Sequence, residues 1–173
     1  EVFAALNAKR RELEAQGREV FDLSVGTPDF EPPHHVVEAL RKSAEDPANW
    51  KYALHDKDEL LQAVCDYYRT RFGVEGITPS MVMSCRGTQE GMGHVCAALA
   101  DPGDVALIPD PCYPVFATGT LLAGAKPWYY PLTAEHDFLP WVEGIPADVA
   151  DAARYMVVSL PANPVGSVGT PEV

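Results

Sequence analysis

The chain has 173 residues, 47% of them apolar, and a formal net charge of -12, so it can bury one sizeable core at the usual size of a single domain. With no stripe of Lys and Arg, that acidity argues against nucleic acid or an anionic membrane as main partner, because phosphate repulsion would go unopposed. No apolar run approaches the roughly 20 residues that span a bilayer.

No charged-then-apolar leader opens the chain, and it begins at Glu1 without a Met, which leaves room for sequence ahead of it. Cys65, Cys85, Cys96 and Cys112 form no C-x-x-C pair and have no His at metal-like spacing. They read as reduced thiols in a cytoplasmic protein, and no zinc or other metal site is expected.

Residues 1–16 carry Phe3, Leu6 and Leu13 on one face amid charges and run into Gly17. That predicts an amphipathic helix with a C-terminal glycine. Residues 20–25 are a short extended run, stopped by Gly26-Thr27-Pro28-Asp29-Phe30. Pro32-Pro33 then leads into Val36, Val37, Ala39 and Leu40, a helix with Pro near its first turn. His34-His35 reads as the solvated entrance to that helix rather than a ligand pair. Trp50-Lys51-Tyr52 lies in a polar connector rich in Asp and Asn. Asp58 is expected to cap the next helix, whose apolar face is Leu60, Leu61, Val64, Cys65, Tyr68 and Phe72, and which closes at Gly73.

From there apolar strands alternate with helices. Met81-Val82-Met83 reads as a strand, followed by a helix opening after Gly91, and Asp101-Pro102-Gly103-Asp104 as a turn. Residues 105–108 read as a second strand, 115–123 as a helix with Gly124 behind it, 128–130 as a third strand and 155–160 as a fourth. The stretch 136–148 reads as loop. Strands that are apolar throughout and separated by helices indicate a mostly parallel sheet covered on both faces, a three-layer α/β/α arrangement. In such sheets ligands gather outside the carboxyl ends of the strands. Three distinctive segments fall there: Gly87-Thr88-Gln89, Asp110-Pro111-Cys112-Tyr113 and Pro161-Ala162-Asn163-Pro164. No internal repeat and no low-complexity tract interrupts the pattern.

The segment Ser84-Cys85-Arg86-Gly87-Thr88-Gln89-Glu90-Gly91 is the most informative of the three. A strand, a glycine turn and a helix start make a cradle for an anion, because the first helical turn has unpaired N–H groups and partial positive charge. Gly87 lets the backbone approach a ligand closely, and Thr88 adds a hydroxyl donor. A phosphate is the obvious guest; an ordinary strand-to-helix turn is the alternative.

Taken together, these segments resemble the amino-terminal half of a class I/II, fold-type I pyridoxal-phosphate aminotransferase. The resemblance is carried by Ser24-Val25-Gly26-Thr27-Pro28-Asp29-Phe30, Lys51-Tyr52, Gly87-Thr88-Gln89-Glu90-Gly91 and Asp101-Pro102-Gly103-Asp104. It continues through Pro109-Asp110-Pro111-Cys112-Tyr113-Pro114 and Asn163-Pro164-Val165-Gly166, over the whole length of the chain. Tyr67-Tyr68-Arg69, Arg71-Phe72-Gly73-Val74 and Tyr113-Pro114-Val115 most resemble the LL-diaminopimelate aminotransferase-like branch.

The resemblance implies an N-terminal arm over residues 1–45, a partial cofactor-binding large domain over 46–173, and pyridoxal 5'-phosphate as cofactor. Thr88 and Gln89, with the backbone after Gly87, would hold its phosphate. Tyr113 would lie over the ring, and Asn163 would donate its side-chain amide to the ring's phenolic oxygen. Gly26 would offer its N–H to the substrate carboxylate. Tyr52 would cross a homodimer interface to the phosphate bound by the other subunit. The substrates would be an amino acid and a 2-oxo acid.

Three positions depart from the family pattern. Gln89 stands where Lys is frequent, Ala162 replaces the first of two Asn before Pro, and Lys57 stands where a glycine is usual a few residues after Tyr52. The lysine that forms the imine, the acid that pairs with the pyridinium nitrogen and the arginine that clamps the substrate carboxylate follow the Asn-Pro-x-Gly segment in this family. Lys9, Lys42, Lys51, Lys57 and Lys126 do not stand in the context of that catalytic lysine. The chain therefore reads as a fragment with no catalytic residue of its own and an unfinished sheet, poorly soluble in isolation. A carbon–sulfur lyase or synthase of the same fold, or an aminotransferase-like sensor domain of a transcription regulator, is the alternative. A nucleotide-binding domain is disfavoured, since the glycine segment fits neither G-x-G-x-x-G nor G-x-x-x-x-G-K-[ST].

Overall fold

A computed structural model describes residues 2–23, 26 and 28–170. The chain divides into two compact units, Glu1–Leu54 and His55–Val173.

The first unit contains α1 (Val2–Ala15) and α2 (His34–Glu45). α1 ends because Gly17 takes φ +75°, which lets Gly17 N donate to Glu14 O at 2.9 Å and Arg18 N to Leu13 O at 3.1 Å. Those two bonds satisfy the last carbonyls of the helix in the way glycine termini favour. α2 follows Pro33 and is laced by Arg41 paired with Glu38 and Glu45. After it, the Asp46 carboxylate accepts from Ala48 N and the Trp50 indole donates to Ala44 O at 2.9 Å. The extended run expected from Val20 is not a sheet strand over 20–23: no ladder partner faces it among the described residues. Ser24 and Val25, its last two positions, lie outside the described residues.

The second unit opens with α3 (Asp58–Phe72). Its N-cap is Lys57 with no side-chain cap bond, so Asp58 does not cap the helix; it is the first helical residue, where with Glu59 its charge suits the positive helix end. Gly73 closes α3 in the left-handed conformation. α4 (Thr88–Leu99), β1 (Val105–Asp110), α5 (Val115–Leu122), β2 (Lys126–Pro131), α6 (Ala147–Ala152) and β3 (Ala153–Met156) follow in that order.

β1 lies between β2 and β3 and is parallel to both, with Val105 opposite Lys126 and Asp110 opposite Pro131. Alternate side chains of a strand point to opposite faces, and both faces of β1 are buried. Ala106 and Ile108 pack with Phe116, Tyr155 and Val157, while Leu107 packs with Tyr130, Leu132 and Ala162. α4 and α5 touch closely on the first side, where a Cβ on Gly119 would stand 3.0 Å from Cys96 Sγ and 3.3 Å from Gly93 Cα. Residues of α6 and the segment before it, Val149 and Ile145, cover the other. The result is a parallel sheet between helical layers.

The sheet has three strands among the described residues rather than four. Pro79–Met81 is a 3-10 turn, and Val82 is extended at φ −118° and ψ 135° without a ladder partner. A strand exists through its hydrogen-bonded neighbour as much as through its own propensity, and here the neighbour is lacking. The last strand is also shorter than expected: pairing ends at Met156, with one further bond from Val157 N to Leu107 O at 2.9 Å. The stretch 136–148 holds two short turns and the start of α6 instead of plain loop.

Candidate functional site

The start of α4 is organised by two carboxylates. Asp56 accepts hydrogen bonds from the Ser84 hydroxyl and from Ser84 N, the latter at 2.7 Å. Glu90 reaches back to accept from Arg86 N. The bonds from the Ser84 hydroxyl and then its amide hold the Asp56 carboxyl below the usual aspartate range. Gly87 N turns back onto Cys85 O at 2.8 Å.

Gly87 itself stands at φ +85° and ψ 153°, a backbone conformation that L side chains rarely adopt. The next two amides, of Thr88 and Gln89, donate to no acceptor among the described residues. They are the orphan donors of a twelve-residue helix, and the helix dipole adds to their pull on an anion. α4 therefore begins at Thr88, three residues before the glycine that was read as its start.

A cavity of about 400 Å³ opens at this end of α4, lined by Thr88, Gln89, Met92, Tyr113, Phe116, Ser159 and Asn163. Three of these residues belong to α4, and the other four follow the carboxyl ends of strands. Tyr113 and Phe116 follow β1, and Ser159 and Asn163 follow β3. The Tyr113 hydroxyl donates to Gln89 Oε1 at 2.9 Å, and its ring meets Phe116 edge to face at 6.2 Å and 75°. Asn163 stands on a turn closed by Gly166 N donating to Ala162 O at 2.6 Å and Ala162 N donating to Ser167 O at 2.9 Å.

Two hydroxyl contacts tie the strands and α5 together. The Tyr130 hydroxyl donates to Val157 O at 2.5 Å, and Thr120 Oγ1 lies 2.7 Å from the Tyr155 hydroxyl. Burial pushes both phenols up to about 12, with the neighbouring thiols Cys112 and Cys96 as lesser causes. Burial, then the nearby Asp110 charge, also raises the Cys112 thiol, which leaves it protonated and unreactive at neutral pH.

Four residues expected from the sequence, Thr88, Gln89, Tyr113 and Asn163, thus line one cavity, with Gly87 one residue away from it. Gly26 and Tyr52 do not line it; both belong to the first unit, where Tyr52 is 89% exposed. Met92, Phe116 and Ser159 were not anticipated. Met92 lies three residues after Gln89 on a helix and Phe116 three after Tyr113, so a helical-period reading of the known positions finds both. Ser159 carries no such signal. Ala162, the departure from the Asn-Asn-Pro pattern, is 6% exposed and packs with Leu107, Tyr130 and Leu132, where an amide would need a partner.

Among the described residues no helix is long and apolar enough to cross a membrane, and no three His, Cys, Asp or Glu are grouped to hold a metal. The family model described as aminotransferase class I and II matches residues 18–173. An LL-diaminopimelate aminotransferase from Dehalococcoides mccartyi is 41% identical over 168 residues, 96% of this chain and 43% of that protein. One from Desulforudis audaxviator is 42% identical over 172 residues, 99% of this chain and 44% of its own. The chain therefore spans less than half the length of these relatives. Among solved structures, a probable N-succinyldiaminopimelate aminotransferase from Thermus thermophilus superimposes with a TM-score of 0.88 at 29% identity, over 98% of this chain and 46% of that one. An alanine aminotransferase from Pyrococcus furiosus gives 0.82 at 32% identity, over 94% of this chain and 42% of that one.

Proposed function

We propose a function from one premise: the chain belongs to the class I and II aminotransferase family. On that premise its cavity is the phosphate-and-ring pocket of an enzyme that moves an amino group between an amino acid and a 2-oxo acid, with pyridoxal 5'-phosphate as cofactor. The observation that carries this reading is the meeting of Thr88, Gln89, Tyr113 and Asn163 around one cavity at the carboxyl rim of a parallel sheet. The donor set suits the group. Two unpaired amides and the Thr88 hydroxyl match a phosphate, an aromatic face matches a flat ring, and the Asn163 amide matches an oxyanion on it.

When bound, the cofactor supplies an electron sink for bonds at the amino acid's α-carbon. The chain's own residues bind and orient. The α4 amides and Thr88 hold the dianion, Tyr113 limits tilt of the ring, and the Asn163 NH2 donates to the phenolic oxygen and keeps it ionised. Gly26 N–H meets the substrate carboxylate, and Tyr52 reaches the phosphate in a second copy of the chain, so the working assembly is a homodimer. No lysine or arginine lines this cavity, so the reading gives none of the chain's own lysines the imine-forming role. The names of the relatives favour a diaminopimelate-type donor, and the four unpaired cysteines suit the reducing cytoplasm.

The purified chain should bind pyridoxal phosphate weakly and dialysably, in competition with inorganic phosphate, and Thr88→Ala should weaken both ligands. Borohydride should fix no adduct at a unique lysine. Binding indifferent to Thr88→Ala, or one stoichiometric adduct, would overturn the assignment.

A further inference from the structure

Gln89 occupies a double position in the cavity. Its backbone amide is one of the two orphan donors at the start of α4, and its side chain accepts the Tyr113 hydroxyl at 2.9 Å from 24 residues away in sequence. We propose that Gln89 is the positioning residue for the Tyr113 ring: its carboxamide oxygen sets the tilt of the aromatic face, and the nitrogen of the same amide remains available to the anion.

Tyr113 follows the end of β1 in the segment leading to α5, and its ring turns about two side-chain bonds. Phe116 restrains it by one edge contact, at 6.2 Å and 75°. The ring also packs against the buried cluster of Ala106, Ile108 and Phe116, and its hydroxyl is the far end of the lever. The bond to Gln89 ties it to the backbone between Gly87 in its special conformation and Glu90 bonded back to Arg86. An exposed hydrogen bond contributes little in water, but a ring lying under Tyr113 displaces that water and raises the value of a preset tilt.

The residue type matters. A carboxamide carries an acceptor and two donors, whereas the lysine frequent at this position in the family carries donors only and cannot accept from a tyrosine hydroxyl. In this chain a formal charge at the phosphate is exchanged for a fixed aromatic face. One residue then serves both ends of the cavity, its backbone amide facing the anion and its side-chain oxygen holding the Tyr113 hydroxyl.

The inference rests on the functional reading above, and its test separates the two. The full chain is titrated with inorganic phosphate and with pyridoxine 5'-phosphate, which has the ring and phosphate but no aldehyde to react with surface lysines. The ratio of the two dissociation constants isolates the ring's contribution from the phosphate's. Gln89→Ala and Tyr113→Phe should each lower that ratio about 3–10-fold, the worth of one hydrogen bond. The double variant should lower it no further than either alone. Gln89→Glu keeps the acceptor and adds a negative charge, so it should weaken both probes yet hold the ratio within about twofold. Retained inorganic-phosphate binding in Tyr113→Phe, and a wild-type urea midpoint in Gln89→Ala, report that the variants are folded. Additive losses, a ratio untouched by Gln89→Ala, or a ratio lost in Gln89→Glu would overturn the role of Gln89 alone. A wild-type chain that binds neither probe would overturn the functional reading, and this role with it.

Discussion

The two compact units differ in what holds them together. Among the described residues of Glu1–Leu54 none is buried; that unit coheres through local bonds, the glycine terminus of α1, the Arg41 ion pairs and the Trp50 indole. His55–Val173 is organised instead around β1, apolar and covered on both faces. The site residues divide along the same line. Thr88, Gln89, Tyr113 and Asn163 ride on loops issuing from the covered sheet and its helices, whereas Gly26 and Tyr52 belong to a unit with no core of its own. A pocket inherits its precision from the packing beneath it, so the sheet-borne residues are placed by this chain alone.

The sharpest way to break that contrast is to cut the core. Ile108→Ala should cost about 2–5 kcal/mol in urea unfolding, because Ile108 is fully buried. Leu40→Ala on α2, where Leu40 is 71% exposed, should stay within about 0.5 kcal/mol; equal losses would erase the distinction. Next in size is the cradle, where Gly87→Ala should destabilise by about 1–3 kcal/mol through backbone strain. It should also weaken inorganic phosphate binding, read by equilibrium dialysis.

Smaller still is the alkaline response. Tyr130 and Tyr155, pushed up to about 12, favour the neutral phenol in the folded state. Their stabilisation is complete below the ordinary tyrosine value of about 10 and is lost as pH rises through the folded values. Ultraviolet titration should show these two phenols ionising together with unfolding. The smallest effect belongs to Asp56. Its pKa is lowered by Ser84, so its clamp contributes above the ordinary aspartate range and is lost as pH falls through the lowered folded value. Exchange of the Ser84 amide should quicken in that acid window, and Asp56→Asn should remove the pH dependence.

Much of the second unit was legible because its signals are local. The left-handed Gly73 that ends α3, the apolar run 105–108 of β1 and the glycine before α4 follow from residue type within a few positions. The misread strand at Met81-Val82-Met83 has a plain cause: the run has strand composition, but a strand also needs a neighbour, and it has none among the described residues. The cavity was half legible. Thr88, Tyr113 and Asn163 sit on motif segments, whereas Ser159 enters only because the chain beyond β3 runs along the rim.

By itself, then, the order of residues determined the glycine ends of α1 and α3, the buried strand and the glycine turn before α4, since each depends on backbone preference and hydrophobicity over a short span. Tertiary structure alone decided which extended runs became strands, that Ala162 belongs to the core, and that Gln89 holds Tyr113. Those outcomes depend on contacts between segments far apart in the chain, and local preference carries no information about who the partner is.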